Sequence, residues 1–100
     1  MKEVKAIIQP FLLEKVLAAL HEIEGLPGVI ISEAKAASVA RGHYEQVVKT
    51  KLEIMAPDEL VESILTAIQT SAHTGNPGDG GIFVIPVETV VRIRTGERIT

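Results

Sequence analysis

The chain has no cysteine and no tryptophan, and its aromatic side chains are two phenylalanines and one tyrosine. Without cysteine there is no disulfide framework, no thiol nucleophile and no thiolate metal site. The central strands lack the aromatic positions on which an RNA-binding sheet of this kind would stack bases. An excess of positive charge is missing too: ten Lys plus Arg stand against thirteen Asp plus Glu, a net charge of −3. That balance argues against a nucleic-acid partner and against an anionic membrane surface. No apolar run comes near the roughly 20 residues that cross a bilayer. The start, Met1-Lys2-Glu3-Val4-Lys5, alternates charge with apolar residues and does not build a signal peptide. The expectations are a cytoplasmic location and no membrane insertion.

What is present is aliphatic. Hydrophobic residues make up 46% of the 100 residues and charged residues 23%, the composition of a chain that folds. That length predicts one domain over residues 1–100. A domain so small leaves much of its surface outside the core, so this many aliphatic side chains predict that other subunits cover part of it.

Residues 2–9 predict a strand with Val4, Ala6 and Ile8 on one face and Lys5, Ile7 and Gln9 on the other. Pro10 interrupts it where a helix can begin. From Phe11 to Glu24, Leu13, Val16, Leu17, Leu20 and Ile23 recur at helical spacing. Gly25-Leu26-Pro27-Gly28 ends that helix, and Val29-Ile30-Ile31 opens a second strand running to about Lys35. Ala36–Gln46 reads as a loop. Val47–Ala56 is a third strand, with Val48, Leu52, Ile54 and Ala56 toward one side. Pro57-Asp58-Glu59 starts a second helix that Asp58 can cap, and Leu60, Val61, Ile64, Leu65 and Ile68 form its stripe. The glycine-rich run Thr74–Gly81 is a loop, and Ile82–Val87 and Thr89–Thr95 are strand-like. The order β-α-β-β-α-β is that of a ferredoxin-like α+β fold, an antiparallel sheet with both helices on one face. Ile7, Val29, Ile31 and part of the fourth strand are available to close its other face in a homo-oligomer.

Gly78-Asp79-Gly80-Gly81 lets backbone N–H groups approach an anion, as a phosphate cradle requires, although a lone glycine cluster is more often just a tight turn. Arg92 and Arg94, two apart in a predicted strand, point to one face about 7 Å apart and suit phosphate recognition; a charged edge strand explains the spacing equally well. Lys49, Lys51 and Glu53 alternate along the third strand, the usual pattern of a solvent face. His21, His43 and His73 have no histidine partner at metal-ligand spacing. His43 with Glu45 supplies two candidate cation ligands, too few for a metal site. No nucleophile, general base or paired carboxylates can be placed, so no catalytic residue is expected and the protein is not expected to be an enzyme.

Four segments resemble the P-II nitrogen-regulatory signalling proteins: Lys5-Ala6-Ile7-Ile8-Gln9-Pro10-Phe11, Lys49-Thr50-Lys51-Leu52-Glu53-Ile54, Thr74-Gly75-Asn76-Pro77-Gly78-Asp79-Gly80-Gly81-Ile82-Phe83-Val84 and Val90-Val91-Arg92-Ile93-Arg94-Thr95-Gly96-Glu97. The resemblance covers nearly the whole chain. It implies a ferredoxin-like homotrimer that binds an adenine nucleotide (ADP, AMP or ATP) in clefts between subunits, with no cofactor required. Gly78, Asp79, Gly80 and Gly81 would hold phosphates, and Arg92 and Arg94 of a neighbouring subunit would reach the same phosphates. Ile7, Glu53 and Met55 match positions around the base, Gly28 lines the cleft, and Lys49 joins the nucleotide-binding set. The loop at 37–46, with Arg41, Gly42, His43, Tyr44 and Glu45, would contact a regulated enzyme or transporter.

The departures from that family are as informative. Gly81 stands where the family's glycine loop ends in lysine, and Ile30 where a threonine faces the adenine. Ala36-Ala37-Ser38-Val39-Ala40 replaces Gly-Phe-Gly-Arg-Gln, so the glutamine that helps hold magnesium and 2-oxoglutarate is Ala40. The effector loop is cut short after Arg41-Gly42-His43, and Tyr44 is not aligned with the family's modifiable tyrosine. Losing a lysine and an arginine removes two charge-assisted contacts of roughly 1.5–3 kcal/mol each, about a hundredfold in affinity even at the low end. The alternative reading is therefore a scaffold of this family that has lost nucleotide and docks to a partner, with a possible link to metal transport.

Overall fold

In a computed structural model, which describes residues 1–37 and 45–100, the elements are β1 (Lys2–Ile8), α1 (Leu13–His21), β2 (Ile30–Ala37), β3 (Gln46–Ala56), α2 (Val61–Ala72) and β4 (Gly81–Pro86). The four strands form one sheet in the order β2-β3-β1-β4, and every neighbouring pair is antiparallel. The period-2 pattern of β1 decides its orientation. Val4, Ala6 and Ile8 are buried, and cross-strand partners Ile54, Leu52 and Thr50 of β3 are buried beside them. Val16 and Leu20 of α1 and Ile64, Ile68 and Ala72 of α2 close over that same face, so both helices lie on one side as expected. The buried hydrophobic side chains are all aliphatic, and Thr50 and Ser71 are buried as well.

Pro10 opens a single 3-10 turn, Pro10–Leu12, that leads into α1, and Asp58–Leu60 does the same for α2. α1 is shorter than its stripe predicts: it ends at His21, and the chain turns through Gly25, whose φ of 83° only glycine adopts readily. Ile23 still packs on the core from this turn. Asp58 does not cap α2. Its carboxylate accepts hydrogen bonds from the Met1 amino group at 2.7 Å and from Lys2 Nζ at 3.2 Å, which together hold it below the ordinary carboxylate range.

Three further expectations change. β2 and β3 are longer than predicted, so Ala36, Ala37 and Gln46 belong to strands; Arg41, Gly42, His43 and Tyr44 lie outside the described residues, and Glu45 precedes β3. Val48 is exposed, while Thr50 takes a buried place opposite Ile8. Ile31 pairs with Leu52 and so shares the helix-side face, and Val29 packs against the core; Ile30, paired with Glu53, is the aliphatic residue on the open side. Three consecutive β-branched residues carry no phase of their own. Pairing to β3 sets it.

Thr89–Thr95 is not a strand. The backbone turns back at residues 92–96, with Arg92 N–H donating to Glu97 O at 2.8 Å, Gly96 N–H to Arg92 O at 2.8 Å and Ile99 N–H to Val90 O at 2.8 Å. A Val91–Arg98 bridge completes this terminal hairpin, and every residue from Val91 to Thr100 is exposed. The Cα radius of gyration, 15.1 Å, exceeds the about 13 Å of a compact chain of this length.

Candidate functional site

The ladder registers place the predicted site residues in rows across the face of the sheet that no helix covers. Ser32, Lys51, Ile7 and Gly81 form one row, and Ile30, Glu53, Lys5 and Phe83 form the next; Met55, Glu3 and Ile85 follow. Lys49, two residues before Lys51, falls on the same face. Ile7, Lys49, Glu53, Met55 and Gly81 are therefore brought together. Charges alternate along the strands, with Lys51 Nζ 3.9 Å from Glu53 Oε1 and Lys5 Nζ 3.8 Å from Glu3 Oε1, among Ile30 (66% exposed) and Phe83 (53% exposed). Such half-exposed pairs contribute little stability. Large apolar side chains exposed between these charges suit contact with a second protein surface or a ligand.

At the end of β1 the Thr74–Gly81 run folds over the sheet as a 3-10 turn at Pro77–Asp79. Asp79 organises it. Its carboxylate accepts the backbone N–H of Thr74 at 2.7 Å, the Thr74 hydroxyl, the backbone N–H of Gly75 at 2.9 Å and Gln9 Nε2 at 3.3 Å. These donors, the Thr74 hydroxyl first, hold the carboxyl well below its usual range. Gly80 has φ of 96°, and the turn meets the sheet there with no space for a side chain. Lys49 reaches in from β3, its Nζ donating to Gly78 O at 2.7 Å. The other flank of the turn borders a cleft of about 370 Å³ between α2 and β4, lined by Ile8, Ile68, Ala72, His73 and Ile82. With open space behind it, the turn keeps its shape through the Asp79 network.

Asp79 thus spends its carboxylate within the turn, and the backbone around it is what can meet an anion. Gly28 lies just before β2 in open space. Arg92 and Arg94 are not two apart on a strand: Arg92 opens the terminal turn, with its Nε 3.5 Å from Glu97 Oε1, and Arg94 lies within that turn. Neither makes a hydrogen bond or ion pair with the glycine turn of its own chain. Sequence reasoning missed three supports. Gln9 and Thr74 hold Asp79, and Ser32, on the open face, carries a buried hydroxyl oxygen that has no hydrogen-bond partner among the described residues. A serine between Ile31 and Glu33 in a strand was the available signal for the last. Among the described residues no three metal-ligating side chains gather, and no helix is long and apolar enough to cross a membrane.

The family description "Nitrogen regulatory protein P-II" matches residues 1–97. Curated relatives of that name include proteins of Azospirillum brasilense, 48% identical over 98% of this chain and 96% of the relative, and of Rhodospirillum rubrum, 46% identical over the same shares. "Nitrogen regulatory protein P-II 1" of Escherichia coli is 41% identical over 97% of this chain and 95% of its own length. The Azospirillum alignment runs to 108 positions against the 98% of a 100-residue chain that it covers, so about ten positions of the relative have no counterpart here. At these identities over nearly the full chain, the chain belongs to the nitrogen regulatory protein P-II family.

Proposed function

We propose that this chain is a regulatory protein, not an enzyme, that assembles as a trimer and binds an adenine nucleotide at the clefts between its subunits. The observation that carries the reading is the glycine turn, pinned by Asp79 and Gln9 at the edge of an open, half-apolar face that bears Ile7, Glu53 and Met55. Its backbone N–H groups suit phosphates, and the apolar face beside it suits a base. Gly78, Gly80 and Gly81 then hold phosphates, Ile7, Glu53 and Met55 surround the base, and Gly28 lines the cleft.

The arginines fit a shared site better than a site within one chain. Arg92 and Arg94 stand on an exposed terminal hairpin away from their own turn, where they can reach the turn of a neighbour. Burial of Ile30, Met55, Phe83 and Ile85 against other copies drives the assembly, and a cyclic arrangement closes it. Nucleotide state would be reported to a partner enzyme or transporter through the segment that joins β2 to β3. A cytoplasmic location goes with this role.

The second reading is a docking scaffold that no longer binds nucleotide. Gly81, Val39 and Ala40 favour it, because cationic and amide groups of the family pattern are missing at those positions. Calorimetric titration with ATP, ADP and AMP separates the two: saturable binding supports a sensor, and no heat at millimolar nucleotide supports the scaffold.

A further inference from the structure

We infer that Ile93 is the apolar anchor of the terminal hairpin: it seats the hairpin of one copy against Phe83 of a second copy and so positions Arg92 and Arg94. The positioning role rests on the shared-site reading above. Ile93 lies in the turn that closes the hairpin, between the two arginines, and is 100% exposed. Turns favour Gly, Asn, Asp, Ser and Pro, and a stiff β-branched aliphatic side chain gains nothing there in a single chain. The backbone bonds of the hairpin, Arg92 to Glu97, Gly96 to Arg92 and Ile99 to Val90, close within it. It is a preformed arm whose apolar tip is left for another surface.

Phe83 is the surface such an arm would meet. It stands on the open face of β4, and its ring reaches back over the end of the glycine turn: a Cβ built on Gly81 would lie 3.7 Å from Phe83 Cζ. More than half of the residue is nonetheless exposed, and Ile85, two residues along the same face, is exposed too. The occupant is a second copy because the arginines and the turn are two halves of one phosphate site that a single chain leaves apart. An arm whose arginines reach phosphates at the turn brings the residue between them to the neighbouring ring. Arginine side chains are long and can approach an anion from many directions. An isoleucine packed on an aromatic ring has one fitting arrangement, and its burial removes apolar area from water on both copies.

The test combines a dilution series followed by light scattering with an ADP titration. It uses the wild type, Ile93→Ser, Ile93→Leu, Phe83→Ala and the double variant Ile93→Ser with Phe83→Ala. Ile93→Ser should dissociate at a protein concentration about tenfold or more above that of the wild type. Where it is still assembled it should bind ADP severalfold more weakly, although it removes no charge. Ile93→Leu should keep both properties. Phe83→Ala should behave like Ile93→Ser, and the double variant should lose little more than the worse single variant, since two touching residues share one contact. Wild-type assembly in Ile93→Ser overturns the inference, and so do single losses that add in full in the double variant. Unchanged ADP affinity in assembled Ile93→Ser overturns the positioning role. If the wild type binds no ADP at millimolar concentration, the nucleotide reading fails, and the dilution series still decides the anchor. Thermal melting of each variant confirms that assembly and binding are read on folded protein.

Discussion

A Cβ built on Gly80 would stand 1.8 Å from the carbonyl oxygen of Ile7. The glycine turn therefore sits directly on the backbone of β1, and that contact fixes where the turn meets the open face. Gly80→Ala should destabilise the fold by about 3 kcal/mol or more, from the clash together with the φ of 96°. Urea unfolding of the variant beside the wild type measures this. A loss below about 0.5 kcal/mol would mean that the turn is free to move off the strand.

Asp79 makes the turn sensitive to acid, and the direction follows from its lowered folded-state pKa. The folded protein favours the carboxylate, so its contribution is fully present above the ordinary carboxylate range near pH 4. It is lost as the pH falls from there through the depressed folded value. Asp79→Asn should lower stability at neutral pH and flatten the decline of stability below about pH 4. Unfolding curves between neutral and strongly acidic pH would show it. An unchanged acid limb would place the dependence on other carboxylates.

Much of this was legible in the sequence where one residue's neighbours along the chain decide its environment. The alternation Val4, Ala6, Ile8 gave the core face of β1, and Ile64 and Ile68 gave that of α2, because burial follows a period that a single segment displays. The failures share a cause. Ile31 lies on the helix side through its pairing with Leu52, and Asp58 turns from capping to the Met1 amino group; both depend on residues distant in sequence. Thr89–Thr95 reads like a strand yet the chain closes on itself as a hairpin, since among the described residues no strand of the sheet pairs with it. At the site, the glycines were visible from composition. Gln9 and Thr74 were not, because holding Asp79 needs a contact across 70 residues in one case and a turn geometry in the other.

The open face predicts the assembly. Ile30 and Phe83 flank the Glu53–Lys5 pair on a row that water covers in a single chain. Light scattering at micromolar concentration should give the mass of a trimer, and Phe83→Asp should shift it toward monomer without unfolding the core. A wild-type monomer would remove the intersubunit cleft.

Ala40 predicts a missing response. An alanine offers no amide oxygen to a metal ion, so 2-oxoglutarate should not bind in the magnesium- and ATP-dependent manner of the family. Calorimetry of 2-oxoglutarate in the presence of magnesium and ATP should show no saturable heat. Micromolar binding would mean that another residue supplies the ligand.

The central claim is a phosphate site completed by a neighbour's arginines, and an ADP titration of Arg92→Ala beside the wild type tests it most directly. The Arg92 side chain is exposed and pairs with Glu97 of its own terminal hairpin, so removing it should leave the fold intact. The account predicts saturable wild-type binding that the substitution weakens by about 1.5–3 kcal/mol, roughly ten- to a hundredfold. Tight ADP binding that Arg92→Ala leaves unchanged would contradict it.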